Sequence, residues 1–272
     1  MLKTRVITAL TLAPAGIALV ILAPSWLFRL VIAFLMLIGT WEFRRLAGLG
    51  AVSGMLLFFL QLLIMALMFS YWPQLEPHAG FILLAACCAW CLMFLRLAAF
   101  HDGAAAGVQY RRVTFLSALL AITFCTFSLA WIREQAHGEF LVFTLLIMIW
   151  AADIGAYFSG RQFGRTKLAP LISPKKTWEG VAGGVFLAGV ATLVLTWLAP
   201  GLDMTPGPLA LLVAVTVMTS VCGDLFISLH KRTVQMKDAG NIFPGHGGVL
   251  DRFDSLMAGA PFYAFIILVF RQ

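Results

Sequence analysis

A chain of 272 residues that is 61% hydrophobic and 11% charged, with a net charge of +7 and a mean hydropathy of +0.95, lies far from soluble domains, which are roughly 45–50% apolar and about 25% charged. So much apolar surface cannot be hidden in a water-soluble core, which excludes a soluble α/β enzyme, a disulfide-stapled secreted domain and a disordered scaffold. In an integral membrane protein the basic excess points to topology, anionic lipid or phosphorylated substrates, and not to nucleic acid.

Apolar stretches of about 20 residues predict nine transmembrane helices, at 6–23, 26–41, 53–72, 80–99, 113–132, 139–158, 180–199, 207–228 and 252–270. Their apolarity does not alternate, so the fold class is an all-α polytopic membrane protein and not a barrel. The first stretch follows Lys3 and Arg5 and ends in no small-residue cleavage site, so it reads as an anchor. The second is short, and Arg29 near its start has to snorkel. Cys87, Cys88, Cys91, Cys125 and Cys222 lie inside apolar runs, where they read as small apolar residues and not as a redox or metal pair.

The basic residues alternate from loop to loop. Lys3, Arg5, Arg44, Arg45, Arg111 and Arg112 fall on one side, as do Arg161, Arg165, Lys167, Lys175, Lys176, Lys231, Arg232, Lys237 and Arg252. The other side holds only Arg133 and Arg271. The positive-inside rule then predicts a cytosolic N-terminus and an external C-terminus. It also makes both long polar loops, 159–179 and 229–251, cytosolic. No internal repeat is visible, so 1–272 reads as a single membrane domain, with N-terminal helices in 1–135 and catalytic helices and cytosolic loops in 136–272.

Charges within spans mark functional sites by default. Asp153 lies near the cytosolic end of the sixth span and Asp224 near that of the eighth, while Asp251 and Asp254 open the ninth. The topology brings all four to one depth on one face. Asp224, Ser228 and Lys231 share a helical stripe, and Asp251 and Asp254 share a face. An all-oxygen set of this kind suits a hard cation such as magnesium. Zinc is disfavoured, because His230 and His246 are isolated.

Between those helices, Gly240, Gly245, Gly247 and Gly248 with Pro244 make a loop that a ligand can approach closely. Flanked by Lys231, Arg232, Lys237 and Arg252, the stretch including His246, Gly247 and Gly248 reads as a phosphate site. The other loop sets Lys167, Ser173, Lys175, Lys176 and Thr177 close together, either as a polyphosphate clamp or as an anchor at anionic headgroups.

The run Ser228-x-x-Lys231-Arg232-x4-Lys237-Asp238, then Pro244-x-His246-Gly247-Gly248-x-x-Asp251-Arg252-x-Asp254, resembles the C-terminal signature of phosphatidate cytidylyltransferases. Asp153-x-Gly155, the block from Ser173 to Gly180 and Trp41-Glu42 after the second span are similar to that family as well. The resemblance implies a polytopic helical fold with a cavity open to the cytosol, a location in the inner membrane of a bacterium, and a homodimer. It implies transfer of CMP from CTP to phosphatidate with magnesium, and room for a second cation. By position, Asp224 and Asp251 would bind magnesium, with Asp153 near them, and Ser228, Lys231 and Asp254 would complete the cation and phosphate site. Ile227 and Ile154 depart from the family pattern, replacing oxygen-bearing residues expected beside the cation.

The chemistry suits these residues. A phosphate monoester has a second pKa near ~6 and is largely dianionic at pH 7, so attack on the α-phosphorus of CTP needs no general base. Cation clamps and positioning carry the reaction. A paralogous nucleotidyltransferase acting on another lipid phosphate is the alternative within this class. A transporter of a phosphorylated solute would require midplane charges and a repeat, which the sequence does not show.

Overall fold

The computed structural model describes residues 11, 14–100, 106–199, 201–202, 204–243, 245 and 247–271. Residues 14–22 are helical (α1). They are followed by α2 (Ser25–Leu46), α3 (Ala51–Ser70), the single turn α4 (Trp72–Leu75), α5 (Ala79–Ala98), α6 (Val108–Glu134) and α7 (Gly138–Phe163). A hairpin of β1 (Lys167–Ala169) and β2 (Ser173–Thr177) leads into α8 (Trp178–Leu198), α9 (Pro206–Thr233) and α10 (Leu250–Phe270). Among the described residues, eight helices are long and apolar enough to cross a membrane, and they match the second to ninth predicted spans. Of the first predicted span, the part before residue 11 lies outside the described residues.

Three helices overrun their predicted ends. α2 continues to Leu46, α7 to Phe163 and α9 to Thr233. Apolarity reports where hydrocarbon ends, whereas helical hydrogen bonding continues into the interface. Basic side chains in the last turns, Arg44 and Arg45 of α2 and His230, Lys231 and Arg232 of α9, also complement the negative end of the helix dipole. Glu42 is therefore inside α2 and not after it. Lys231 and Arg232 ride on α9, and the second polar loop is correspondingly shorter.

The core centres on α10, which packs on α9, α6, α5 and α7. Trp90, Phe226 and Tyr263 are wholly buried there, and Tyr263 donates from its hydroxyl to Leu141 O at 3.0 Å. The closest pair is α7 with α8. A Cβ at Gly155 would run into Gly183 O, one at Gly183 into the Ser159 side chain, and one at Gly184 would lie 2.8 Å from Ala152 O. Without a hydrophobic drive inside lipid, such small-residue seams let helices gain close van der Waals contact.

The seam generates a prediction. Gly183→Leu has to displace Ser159 and the α7 backbone, an overpacking that costs about 1–3 kcal/mol. The melting midpoint of the detergent-solubilised protein should fall by roughly 2–4 °C per kcal/mol, while Val190→Leu on the exposed flank of α8 leaves it unchanged.

Candidate active site

The first N–H groups of a helix lack intrahelical partners. Among the described residues, no side chain of the adjoining loop caps α10. Glu42, which is buried in α2, fills the role across 207 and 208 residues of sequence: Val249 N donates to its Oε1 at 3.1 Å and Leu250 N to its Oε2 at 2.9 Å. Gly240 and Gly248 lie so close to this carboxylate that a Cβ on either would collide with it. The glycine loop is thus built around Glu42.

Asp251, in the first turn of α10, binds the same loop from the other side. Its Oδ2 accepts from Ala239 N and Gly248 N, both at 2.9 Å, and its Oδ1 accepts from Lys231 Nζ at 2.9 Å. Gly247 has φ +82°, and a Cβ there would stand 2.5 Å from Asp251 Oδ2. The loop closes by a bond from Phe243 N to Gly247 O at 2.9 Å. Here glycine is demanded twice, by backbone sign and by space.

The hairpin brings basic residues over α9. Ala169, Pro170, Leu171 and Ile172 form its turn, with Ile172 N donating to Ala169 O at 3.2 Å and proline at the second position, which its fixed φ favours. Ile172 packs on Leu225 and Leu229, and Arg232 Nε donates to Ile172 O at 3.2 Å. The hairpin thereby delivers Lys176 Nζ to Asp224 Oδ2 at 2.7 Å. Asp224 Oδ1 accepts from Ser228 Oγ at 3.2 Å, one turn along the stripe.

Four carboxylates and two ammonium groups therefore share one end of the bundle. Asp224 repels both Asp153 and Asp254, and Lys176 attracts all three. Lys231 pairs with Asp251 and attracts Asp224 and Asp254. Among the described residues no three acidic, His or Cys side chains converge as a ready metal cage. The donor set nonetheless fits a hard cation, because magnesium takes one or two carboxylates and completes its shell with water and phosphate. The lysine ammonium groups occupy the places between carboxylates where positive charge is required.

The remaining predicted residues divide. Lys167 and Lys175 are exposed on the hairpin, Ser173 sits opposite Ala169, and Lys237 is exposed in the glycine loop. Thr177 is buried as the N-cap of α8, accepting from Gly180 N at 3.1 Å, so its hydroxyl serves the helix. Arg252 is exposed, and with Asp153, Asp251 and Asp254 it lines a cavity of about 710 Å³. His246, with Pro244, lies outside the described residues. His230 is buried against Phe226, and its Nδ1 lies 2.8 Å from Tyr110 Oη, which donates to Leu46 O. Ile227 is wholly buried in the apolar core, and Ile154 is exposed on the flank of α7. They stand next in sequence to Ser228 and Asp153. Sequence reasoning missed the structural weight of Glu42. The signal available was a carboxylate set directly after the end of a predicted span.

A model described as the cytidylyltransferase family matches residues 3–270. The chain is 37% identical over 268 residues to a phosphatidate cytidylyltransferase of Pseudomonas aeruginosa, covering 98% of this chain and 97% of that one. It is 33% identical over 282 residues to that of Haemophilus influenzae, covering 97% and 98% respectively. With that of Bacillus subtilis it shares 44% identity over 137 residues, 49% of each chain.

The capping of α10 by Glu42 is directly testable. Glu42→Ala leaves two buried N–H groups without partners, each costing about 1–3 kcal/mol. Its melting midpoint should drop well below wild type, with Glu42→Gln between the two. Equal midpoints for all three proteins would contradict the capping role.

Proposed function

Because the chain belongs to the cytidylyltransferase family, we propose that it transfers CMP from CTP to phosphatidate, yielding CDP-diacylglycerol and pyrophosphate for phospholipid synthesis. The observation that carries this reading is the near full-length likeness to phosphatidate cytidylyltransferases. The cluster of Asp224, Asp251, Asp254, Lys176 and Lys231 at one end of the bundle supports it.

In this reaction a phosphate oxygen of phosphatidate attacks the α-phosphorus of CTP in line. The bond from the α-phosphorus to the α,β-bridging oxygen breaks, and pyrophosphate leaves with that electron pair. The nucleophile is already anionic, so the aspartates act as ligands and not as bases. Magnesium, held by Asp224 and Asp251 with Asp153 and Asp254 beside them, would neutralise and orient phosphate oxygens when bound; a second cation is compatible with four carboxylates. Lys176 and Lys231 then turn from their aspartates to the polyphosphate, and Lys167 and Lys175 extend the basic surface along the hairpin. Ser228 steadies Asp224, while Asp251 holds the glycine loop in shape.

The same reading puts the site on the cytosolic face of a bacterial inner membrane, where the basic loops are retained and CTP is available. It takes the assembly to be a homodimer.

The test uses purified protein with magnesium, phosphatidate and each nucleoside triphosphate in turn, following lipid product and pyrophosphate. CTP alone should support turnover. Asp224→Asn and Asp251→Asn should each lower kcat on the order of 100-fold or more, as loss of a charge-stabilising group does. Chelation should abolish activity and magnesium should restore it. Wild-type rates in Asp224→Asn would remove it from the site. Folded wild type that forms no CDP-diacylglycerol would overturn the reaction.

A further inference from the structure

His230 is a wholly buried polar side chain to which the proposed reaction gives no task. It stands next to Lys231 on α9 and is enclosed by aromatic rings. Phe226 of its own helix lies 4.5 Å away between centroids, Phe43 of α2 5.7 Å and Tyr110 of α6 5.6 Å. The hydrogen bonds around it fix where its proton sits. Leu46 is the last residue of α2, so its carbonyl has no helical donor ahead of it, and Tyr110 Oη donates to it at 2.8 Å. A phenol has a single hydrogen to give. With that hydrogen spent on Leu46 O, the 2.8 Å contact between Tyr110 Oη and His230 Nδ1 requires the hydrogen between them to come from Nδ1. Nε2 is buried and has no hydrogen-bond partner among the described residues, so a second proton there would lack an acceptor. The ring is therefore the neutral Nδ1–H tautomer, because the bond made by one nitrogen decides the state of the other.

This bond closes a circuit. Glu42 ties α2 to the start of α10, and Asp251 ties the start of α10 to Lys231 of α9. His230 ties α9 to Tyr110 of α6, and Tyr110 returns to the end of α2. The geometry points to His230 as a positioning residue for CMP transfer: its bond to Tyr110 fixes the end of α9, and so the base from which Lys231 reaches Asp251 and the polyphosphate. The inference rests on the proposed reaction and adds to it a buried residue that holds the site from behind. Displacing a reacting or clamping group by about 1 Å can cost on the order of 100-fold in rate, so a buried bond one residue from Lys231 carries kinetic weight. Packing alone does not ask for an imidazole among three aromatic rings, whereas the bond to Tyr110 does.

The experiment compares His230→Phe, His230→Asn and Tyr110→Phe with wild type in detergent, with melting midpoints recorded alongside. His230→Phe keeps an aromatic ring and loses the donor, whereas His230→Asn keeps a donor at the δ position. His230→Phe should lower kcat about 10-fold or more while KM for phosphatidate stays within about twofold, and His230→Asn should recover most of the loss. Because the residue acts through Lys231, its effect should not add to the loss of that lysine. In a Lys231→Ala background, His230→Phe should lower the residual rate by less than about twofold, whereas a general loss of structure would lower it by the full factor. In protein carrying nitrogen-labelled histidine, the NMR signal that disappears in His230→Asn should show its hydrogen on Nδ1. Tyr110→Phe should match His230→Phe in kcat, which keeps the test decisive if His230→Phe fails to fold. Unchanged kcat in either folded variant, a loss that persists in full without Lys231, or a hydrogen on Nε2 would overturn the role and leave CMP transfer standing. Wild type that forms no CDP-diacylglycerol would remove the reaction and this role in it, while the NMR signal would still report the bond to Tyr110.

Discussion

The amino end of α10 is the constraint around which the active end of the molecule is arranged. Its unpaired N–H groups need acceptors, and they find Glu42 from α2 on one side while Asp251 returns to Gly248 N and Ala239 N on the other. Two carboxylates so close to a glycine loop leave no space for side chains at 240, 247 or 248. They also set the register of Asp254 one turn later, and with it the distance to α9. The hydrogen bonds are charge-assisted and mostly shielded from water, a setting in which an unmade bond is expensive. The rest of the charge cluster inherits its position from this joint.

Charge balance follows from the same arrangement. Asp224 is held between Lys176 from the hairpin and Ser228 from its own helix, and Asp251 between Lys231 and the backbone. Neither lysine is a structural ornament. Carboxylates at this depth without positive partners would be destabilising, so the ammonium groups keep the site foldable before any substrate or ion arrives. Arg252 and Asp153 then face a chamber whose described lining in α1, α2 and α6 carries no charge. Polar chemistry and hydrocarbon thus meet along a single boundary.

Much of this was legible in the residues. Runs of apolar side chains located eight described helices to within a few positions, because burial in lipid and helical length are both read from the same stretch. The gathering of Asp153, Asp224, Asp251 and Asp254 at one end followed from counting spans. Three things were hidden. The joint made by Glu42 spans more than 200 residues, and no local pattern announces such a partner. The hairpin was masked by its basic residues, although Pro170 marked its turn. The cavity is lined jointly by α1, α2, α6, α7 and α10, and apolarity alone does not encode which helices become neighbours.

The glycine seam between α7 and α8 bears on how the chain enters its membrane. Synthesis proceeds from the N-terminus and structure forms as the chain emerges, so α7 is made well before α9 and α10. At that moment Asp153 has neither its acidic neighbours nor the loop around Asp251. The next elements to emerge are the hairpin with Lys176, which attracts Asp153, and then α8, whose Gly180, Gly183 and Gly184 lock onto α7. The paired helices can therefore be delivered to the bilayer as one compensated hairpin, with positive charge already beside the first carboxylate when Asp224 arrives.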